Sequence, residues 1–218
     1  MIYEFFRLFG TITGIPAELL FFKRKTYYED KAVQSRRIKG GALIIANHYN
    51  VLDYVMNAFV VFPRKLNVVA SEHAYKNKLQ AFGMRFWGGI QANRVTRSMR
   101  FMDIAADVIR KGQLVLIFPE GKNTDDGTIK QFYHSYLVIA HRAKSPIIPI
   151  ISDGNYGIFK RASIIIGKPI DISQFNFSER PTRDELKAAN EVIYNKVLSL
   201  REQLEILKSK KKKQTPKG

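Results

Sequence analysis

The chain contains no cysteine. Disulfides, thiolate-bound metals and a cysteine nucleophile are therefore excluded together. Acid is scarce: 19 Asp and Glu stand against 36 Lys and Arg, a formal net charge of +17. That surplus favours an anionic partner, whether nucleic acid, an acidic lipid surface or a phosphorylated substrate. Long apolar runs are missing too. In the N-terminal 22 residues the longest uncharged stretch is the ten residues Leu8 to Ala17, broken by Gly10, Gly14 and Pro16. A membrane-spanning helix needs roughly twenty apolar residues, so this segment does not span. Nor does it read as a secretory signal, because Glu4 stands where a basic start belongs.

What is present is a chain of 218 residues, 45% hydrophobic and 12% aromatic, enough for one domain with a full core. Ile2, Phe5, Phe6, Phe9 and Ile12 recur at helical spacing, ahead of Lys23, Arg24 and Lys25. Two readings are open: an amphipathic helix lying in the membrane interface, or a helix packed on the domain's own core. The far end, Lys208 to Gly218, holds six Lys and no acid. It reads as a solvated, disordered tail, able to assist docking on an anionic leaflet. The organisation expected is an interface segment over 1–24, one domain over 25–207 and a tail over 208–218.

Five short apolar runs read as buried strands: Ala42–Ala46, Leu66–Ala70, Leu114–Phe118, Ile147–Ile151 and Ser163–Ile166. Helical patterns fall between them at Arg100–Arg110 and Gln131–Ala143. A last helix opens on the capping box Thr182-Arg183-Asp184-Glu185 and runs to about Leu207. The class is α/β, a layered mixed sheet flanked by helices.

The histidines narrow the chemistry. His73, His134 and His141 show no ligand spacing, so no metal site is expected. His48 follows a buried strand and precedes Asp53 by five residues. On one unbroken helix that spacing would turn the two side chains apart. They meet only if His48 precedes the helix and Asp53 lies in its first turn, with Asn50 as N-cap. Asp53 then fixes the imidazole tautomer; the other reading makes it a cap completion beside a loop histidine. Further on come Gly88-Gly89-Ile90 with Arg94, then Phe118-Pro119-Glu120-Gly121 after the most apolar strand. Pro146 and Pro149 follow in a run that fits an edge strand.

In this order the segments resemble the glycerolipid acyltransferases, the family of bacterial 1-acylglycerol-3-phosphate acyltransferases. Asn47, His48 and Asp53 match its first motif, and Gly88, Ile90 and Arg94 its second. Phe118, Pro119, Glu120 and Gly121 match the third, and Pro146 to Pro149 the fourth. The resemblance implies transfer of a fatty acyl group from acyl-CoA or acyl carrier protein to the hydroxyl of a lysophospholipid, most simply 1-acylglycerol-3-phosphate. It implies His48 as base held by Asp53, with Gly88, Ile90, Arg94, Glu120, Gly121 and Lys122 at the substrate. No cofactor is implied beyond the acyl donor. The expected place is the membrane surface, on the cytoplasmic face of a bacterial inner membrane. Lys122 and Asn123 stand where the family has Thr and Arg, which leaves another lyso-lipid acceptor open. Phe132-Tyr133 replaces an expected pair of small residues. Nucleic-acid binding fits less well, since the densest basic run is terminal and no basic face interleaves with aromatics. A lipid-binding protein with an inactive site is disfavoured by the intact His48 and Asp53.

Overall fold

The structure, a computed structural model, describes residues 9, 12–14, 23–50, 52–93, 99–124, 126–157 and 160–214. Among them the strands form one seven-stranded sheet. They are β1 (Lys25–Tyr28), β2 (Ala42–Ala46), β3 (Leu66–Ser71), β4 (Gly89–Ala92), β5 (Leu114–Ile117), β6 (Ile147–Ser152) and β7 (Ser163–Ile166), in the order β1-β7-β6-β2-β5-β3-β4. Each neighbouring pair is parallel except β6 with β7. The helices are α1 (Leu52–Val61), α2 (Lys78–Phe86), α3 (Arg100–Arg110), α4 (Ser135–Ala143) and α5 (Arg183–Gln214).

Both faces of the sheet are covered, which is why its central strands are apolar without alternation. Leu43, Ile45, Val115, Ile117, Ile147 and Ile151 join one core with Met102 and Ile109 of α3, Leu137 of α4, and Val197 and Leu200 of α5. Ala42, Ile44, Leu114, Leu116, Ile148 and Ile150 point the other way, toward Met56 and Val60 of α1. All five expected strands are present.

The differences have physical causes. β6 lies inside the sheet, between β2 and β7, not at its edge. Pro149 is tolerated there because β7 ends at Ile166, one residue before the position opposite Pro149. Gly167 fills that position and donates its N–H to the Pro149 carbonyl at 2.8 Å. A Cβ on Gly167 would stand 2.7 Å from Pro149 Cγ and from Leu200 Cδ1, so only glycine fits. The helix expected from Gln131 begins at Ser135, because the Tyr133 N–H is drawn to the Pro119 carbonyl at 2.9 Å.

The last helix continues past Leu207 to Gln214, so the chain at Lys208 is helical instead of a loose tail. Lys208 pairs there with Asp153 and Glu205, both at 3.0 Å. Strands β1 and β4 and helix α2 were not expected. The expected interface segment over 1–24 lies almost wholly outside the described residues, as do Arg94 and the last four residues. Among the described residues no helix is long and apolar enough to cross a membrane.

Candidate active site

Because β2, β3, β4, β5 and β6 run in one direction, their carboxyl ends share one edge of the sheet, where α/β folds gather their functional loops. After Ala46, β2 would lose its partner. The Asn47 side chain stands in for a missing rung: its Nδ2 donates to the Ser152 carbonyl at 3.0 Å and its Oδ1 accepts from the Ser152 N–H at 2.9 Å. An amide side chain does this because it carries the same donor and acceptor as a peptide group. The next residue, His48, is thereby fixed at the end of the central strand.

Asn50 caps α1 through its side chain, which accepts from the Leu52 N–H at 2.9 Å. Asp53 sits in the first turn and reaches back over the loop. Its Oδ2 accepts from the Tyr49 N–H at 2.6 Å and the Asn50 N–H at 2.7 Å, and lies 2.9 Å from His48 Nδ1. Its Oδ1 accepts from the Tyr156 hydroxyl at 2.6 Å. The Asp53 side chain is 1% exposed and that of His48 25%. A buried carboxylate facing Nδ1 places the ring hydrogen there in neutral imidazole and leaves the Nε2 lone pair bare. The loop cap and the histidine brace are thus one structure.

The segment after β5 supports the same loop from below. Phe118-Pro119-Glu120-Gly121 is a β-turn, closed by Gly121 N–H donating to the Phe118 carbonyl at 3.0 Å. Proline suits its second position, and Gly121 takes φ 69°, which a side chain would resist. Glu120 is buried, and its oxygens accept from the His48 N–H at 3.0 Å and the Lys130 N–H at 2.9 Å. Burial pushes its carboxyl up from the ordinary range, and those two N–H groups oppose the rise. Thr124 closes the frame, its N–H donating to the His48 carbonyl at 2.9 Å.

Beside this frame lies a cavity of about 460 Å³ lined mainly by apolar side chains, among them Val69, Ala92, Met99, Phe101, Ile117 and Phe118. The Phe118 ring stacks on His48 with 4.2 Å between centroids and 15° between planes. His48 therefore stacks on a residue of the chamber wall and is not itself one of the lining residues. Gly121 lines that chamber and Lys122 is exposed next to it. Tyr133 lines it as well, while Phe132 turns into the core.

The other expected site residues divide. Glu120 is buried, and each of its oxygens accepts one backbone N–H. Gly88 lies at the amino end of β4, away from the chamber at the other end, and its φ of 73° serves the turn out of α2. Ile90 is buried in the core. Arg94 lies outside the described residues; it follows Asn93, which lines the chamber. Three supports were not foreseen. Ser152 and Tyr156 share a 2.7 Å hydroxyl contact behind Asp53, and Arg201 of α5 donates to the Ser152 carbonyl at 2.6 Å. They join His48 only through space, so no local spacing signals them.

A family model described as Acyltransferase matches residues 24–153. The 1-acyl-sn-glycerol-3-phosphate acyltransferase of Bacillus subtilis (strain 168) is 22% identical over 173 residues, covering 77% of this chain and 84% of that protein. The human 1-acyl-sn-glycerol-3-phosphate acyltransferase beta is 28% identical over 117 residues, covering 50% of this chain and 40% of that protein. Among solved structures, the crystal structure of the 1-acyl-sn-glycerophosphate (LPA) acyltransferase PlsC from Thermotoga maritima is similar, with a TM-score of 0.56 at 20% identity. The match covers 83% of this chain and 73% of that chain and speaks to the fold.

Proposed function

The chain belongs to the acyltransferase family, and from that premise we propose that it moves a fatty acyl group from an acyl thioester to the hydroxyl of a lysophospholipid, 1-acylglycerol-3-phosphate being the first choice. The observation that carries the reading is His48, its Nδ1 held 2.9 Å from Asp53 and its ring stacked on Phe118, a residue of the apolar chamber's wall.

The chemistry follows from what each group can give. A lipid hydroxyl attacks a thioester poorly unless its proton leaves as the new bond forms. His48 Nε2 takes that proton, and Asp53 stabilises the imidazolium. The hydroxyl oxygen bonds to the thioester carbonyl carbon, the tetrahedral intermediate collapses, and the carbon–sulfur bond breaks. The imidazolium then returns its proton to the departing thiolate, which leaves as coenzyme A or acyl carrier protein thiol. A thioester is already activated and the chain has no cysteine, so we assign direct attack within a ternary complex.

The apolar chamber suits an acyl chain. For the acceptor phosphate we propose Arg94, a guanidinium fork next in sequence to Asn93 of the chamber lining, with Lys122 as second contact. A surface of net charge +17 accords with work at an anionic bilayer, on the cytoplasmic face of an inner membrane. Lys122 and Asn123 favour keeping a second acceptor class in view, lyso-lipids with another headgroup. The test is mass spectrometry of products from a mixed lyso-lipid panel, offered acyl-CoA and acyl carrier protein thioesters separately. Phosphatidic acid as main product supports the first choice. Another acylated lipid replaces the acceptor, and no thioester consumption with any pair removes the reading.

A further inference from the structure

Helix α2 is built inside out. It joins β3 to β4, and none of its nine residues is buried. Ala81 and Met84 turn toward the protein, and Met84 packs against the core on the α1 side. Leu79, Phe82 and Phe86 fall within an arc of about 60° on the opposite side, at 100° per residue. Leu79 is 81% exposed and Phe82 54%. An ordinary surface helix would carry charge there. The helix is nonetheless well made: Asn77 caps it, its Oδ1 accepting from the Gln80 N–H at 2.8 Å, and Phe86 meets Trp87 edge to face at its end.

The surrounding charge selects the occupant. From His73 to Met102, thirty residues carry six Lys or Arg and no acid. Lys78 and Arg85 are exposed on α2, and Lys76 is exposed just before it. Apolar side chains rimmed by cations match an anionic leaflet, where aromatic and aliphatic groups enter the interface and cations meet headgroups. Position agrees. Ser71 ends β3 at the chamber, seven residues before α2 begins, and the chain is back at the chamber at Ala92, the end of β4, and at Asn93. Met99, at the chamber wall, is 62% exposed.

We propose that the outward face of α2, Leu79 with Phe82 and Phe86 and the basic rim, docks on an anionic lipid surface and sets the chamber mouth against it. The inference rests on the acyl-transfer reading for its substrate, which enters from that surface. The test uses the whole chain and its L79Q/F82Q variant, whose changed side chains are exposed. Each is sedimented with vesicles of phosphatidylglycerol in phosphatidylcholine, and with phosphatidylcholine alone, at low and high salt. Wild type should prefer the anionic vesicles and release at high salt. The variant should lose about tenfold of its partitioning. Its transfer between a short-chain acyl thioester and a short-chain lyso-lipid, both monomeric in water, should stay within about twofold of wild type. Equal vesicle binding by the two proteins overturns the proposal. So does wild type dimerising without lipid while the variant stays monomeric, since the face then belongs to a second copy. Vesicle binding that depends on Leu79 and Phe82, in a chain that transfers no acyl group, sinks the reaction and leaves the docking face standing.

Discussion

Asp53 has four donors on two oxygens, and this crowding defines its role. Two backbone N–H groups and the His48 ring meet one oxygen, and Tyr156 meets the other. Tyr156 is not among the residues that line the chamber, and its hydroxyl donates to Asp53, so it acts by holding the carboxylate in place. Burial and the neighbouring Asp53 push its phenol well up, which keeps the hydroxyl a donor. Tyr156→Phe keeps the ring and deletes that donor. We expect kcat to fall about tenfold with KM unchanged for both substrates, and stability to drop by about 1–3 kcal/mol. Steady-state kinetics beside a urea melt checks this. An unchanged kcat with the stability loss alone would make Tyr156 a packing residue. The pairing of His48 with Asp53 was legible because Asn50 announced a helix start between them. Tyr156 was not, lying 103 residues from Asp53 with nothing local to mark it.

At the scale of elements, the turn after β5 and the loop after β2 stand or fall together. Glu120 ties them by accepting one N–H from each side. In Glu120→Gln the amide oxygen can accept only one of the two, and the amide nitrogen faces the other. A buried donor left without a partner costs about 1–3 kcal/mol. Denaturant titration should show that loss with an unchanged slope, and an unchanged midpoint would mean the brace is dispensable. The start of α5 is a separate case. Backbone N–H donation from Ser178, then from Thr182, holds the Glu185 carboxyl down at about 2. An unfolded glutamate titrates near about 4.3. The folded pKa is the lower one, so the stabilisation is whole above about 4.3 and drains as pH falls toward about 2. Hydrogen exchange at the Ser178 and Thr182 amides should quicken across that window, and flat rates would contradict the capping box. The box itself was legible in Thr182-Arg183-Asp184-Glu185. Buried strands such as Ile147–Ser152 were legible as unbroken apolar runs. β1, whose Lys-Thr-Tyr-Tyr sits at the sheet edge, lacks that signal, and α2 hides because its apolar side faces outward.

At the scale of the whole molecule, the described residues combine a doubly covered sheet with a candidate active-site edge, in a chain of net charge +17. Composition disclosed the charge and the missing thiol; the acid-free run from His73 to Met102 is plain in the sequence, but that it surrounds exposed apolar side chains of α2 is not. The missing cysteine bears on the order of events. With the acyl thioester present and the acceptor withheld, intact-mass spectrometry should find the chain at its unmodified mass. A stable increment of one acyl group would place a covalent intermediate on the path and remove the ternary complex. The central claim remains the imidazole at the end of β2. Its most direct measurement is the rate of acyl transfer by purified His48→Ala on lysophosphatidic acid with acyl-CoA, with a thermal melt confirming the fold. The account predicts a fall on the order of 10²–10⁴-fold in kcat; a folded variant within about tenfold of wild type would contradict it.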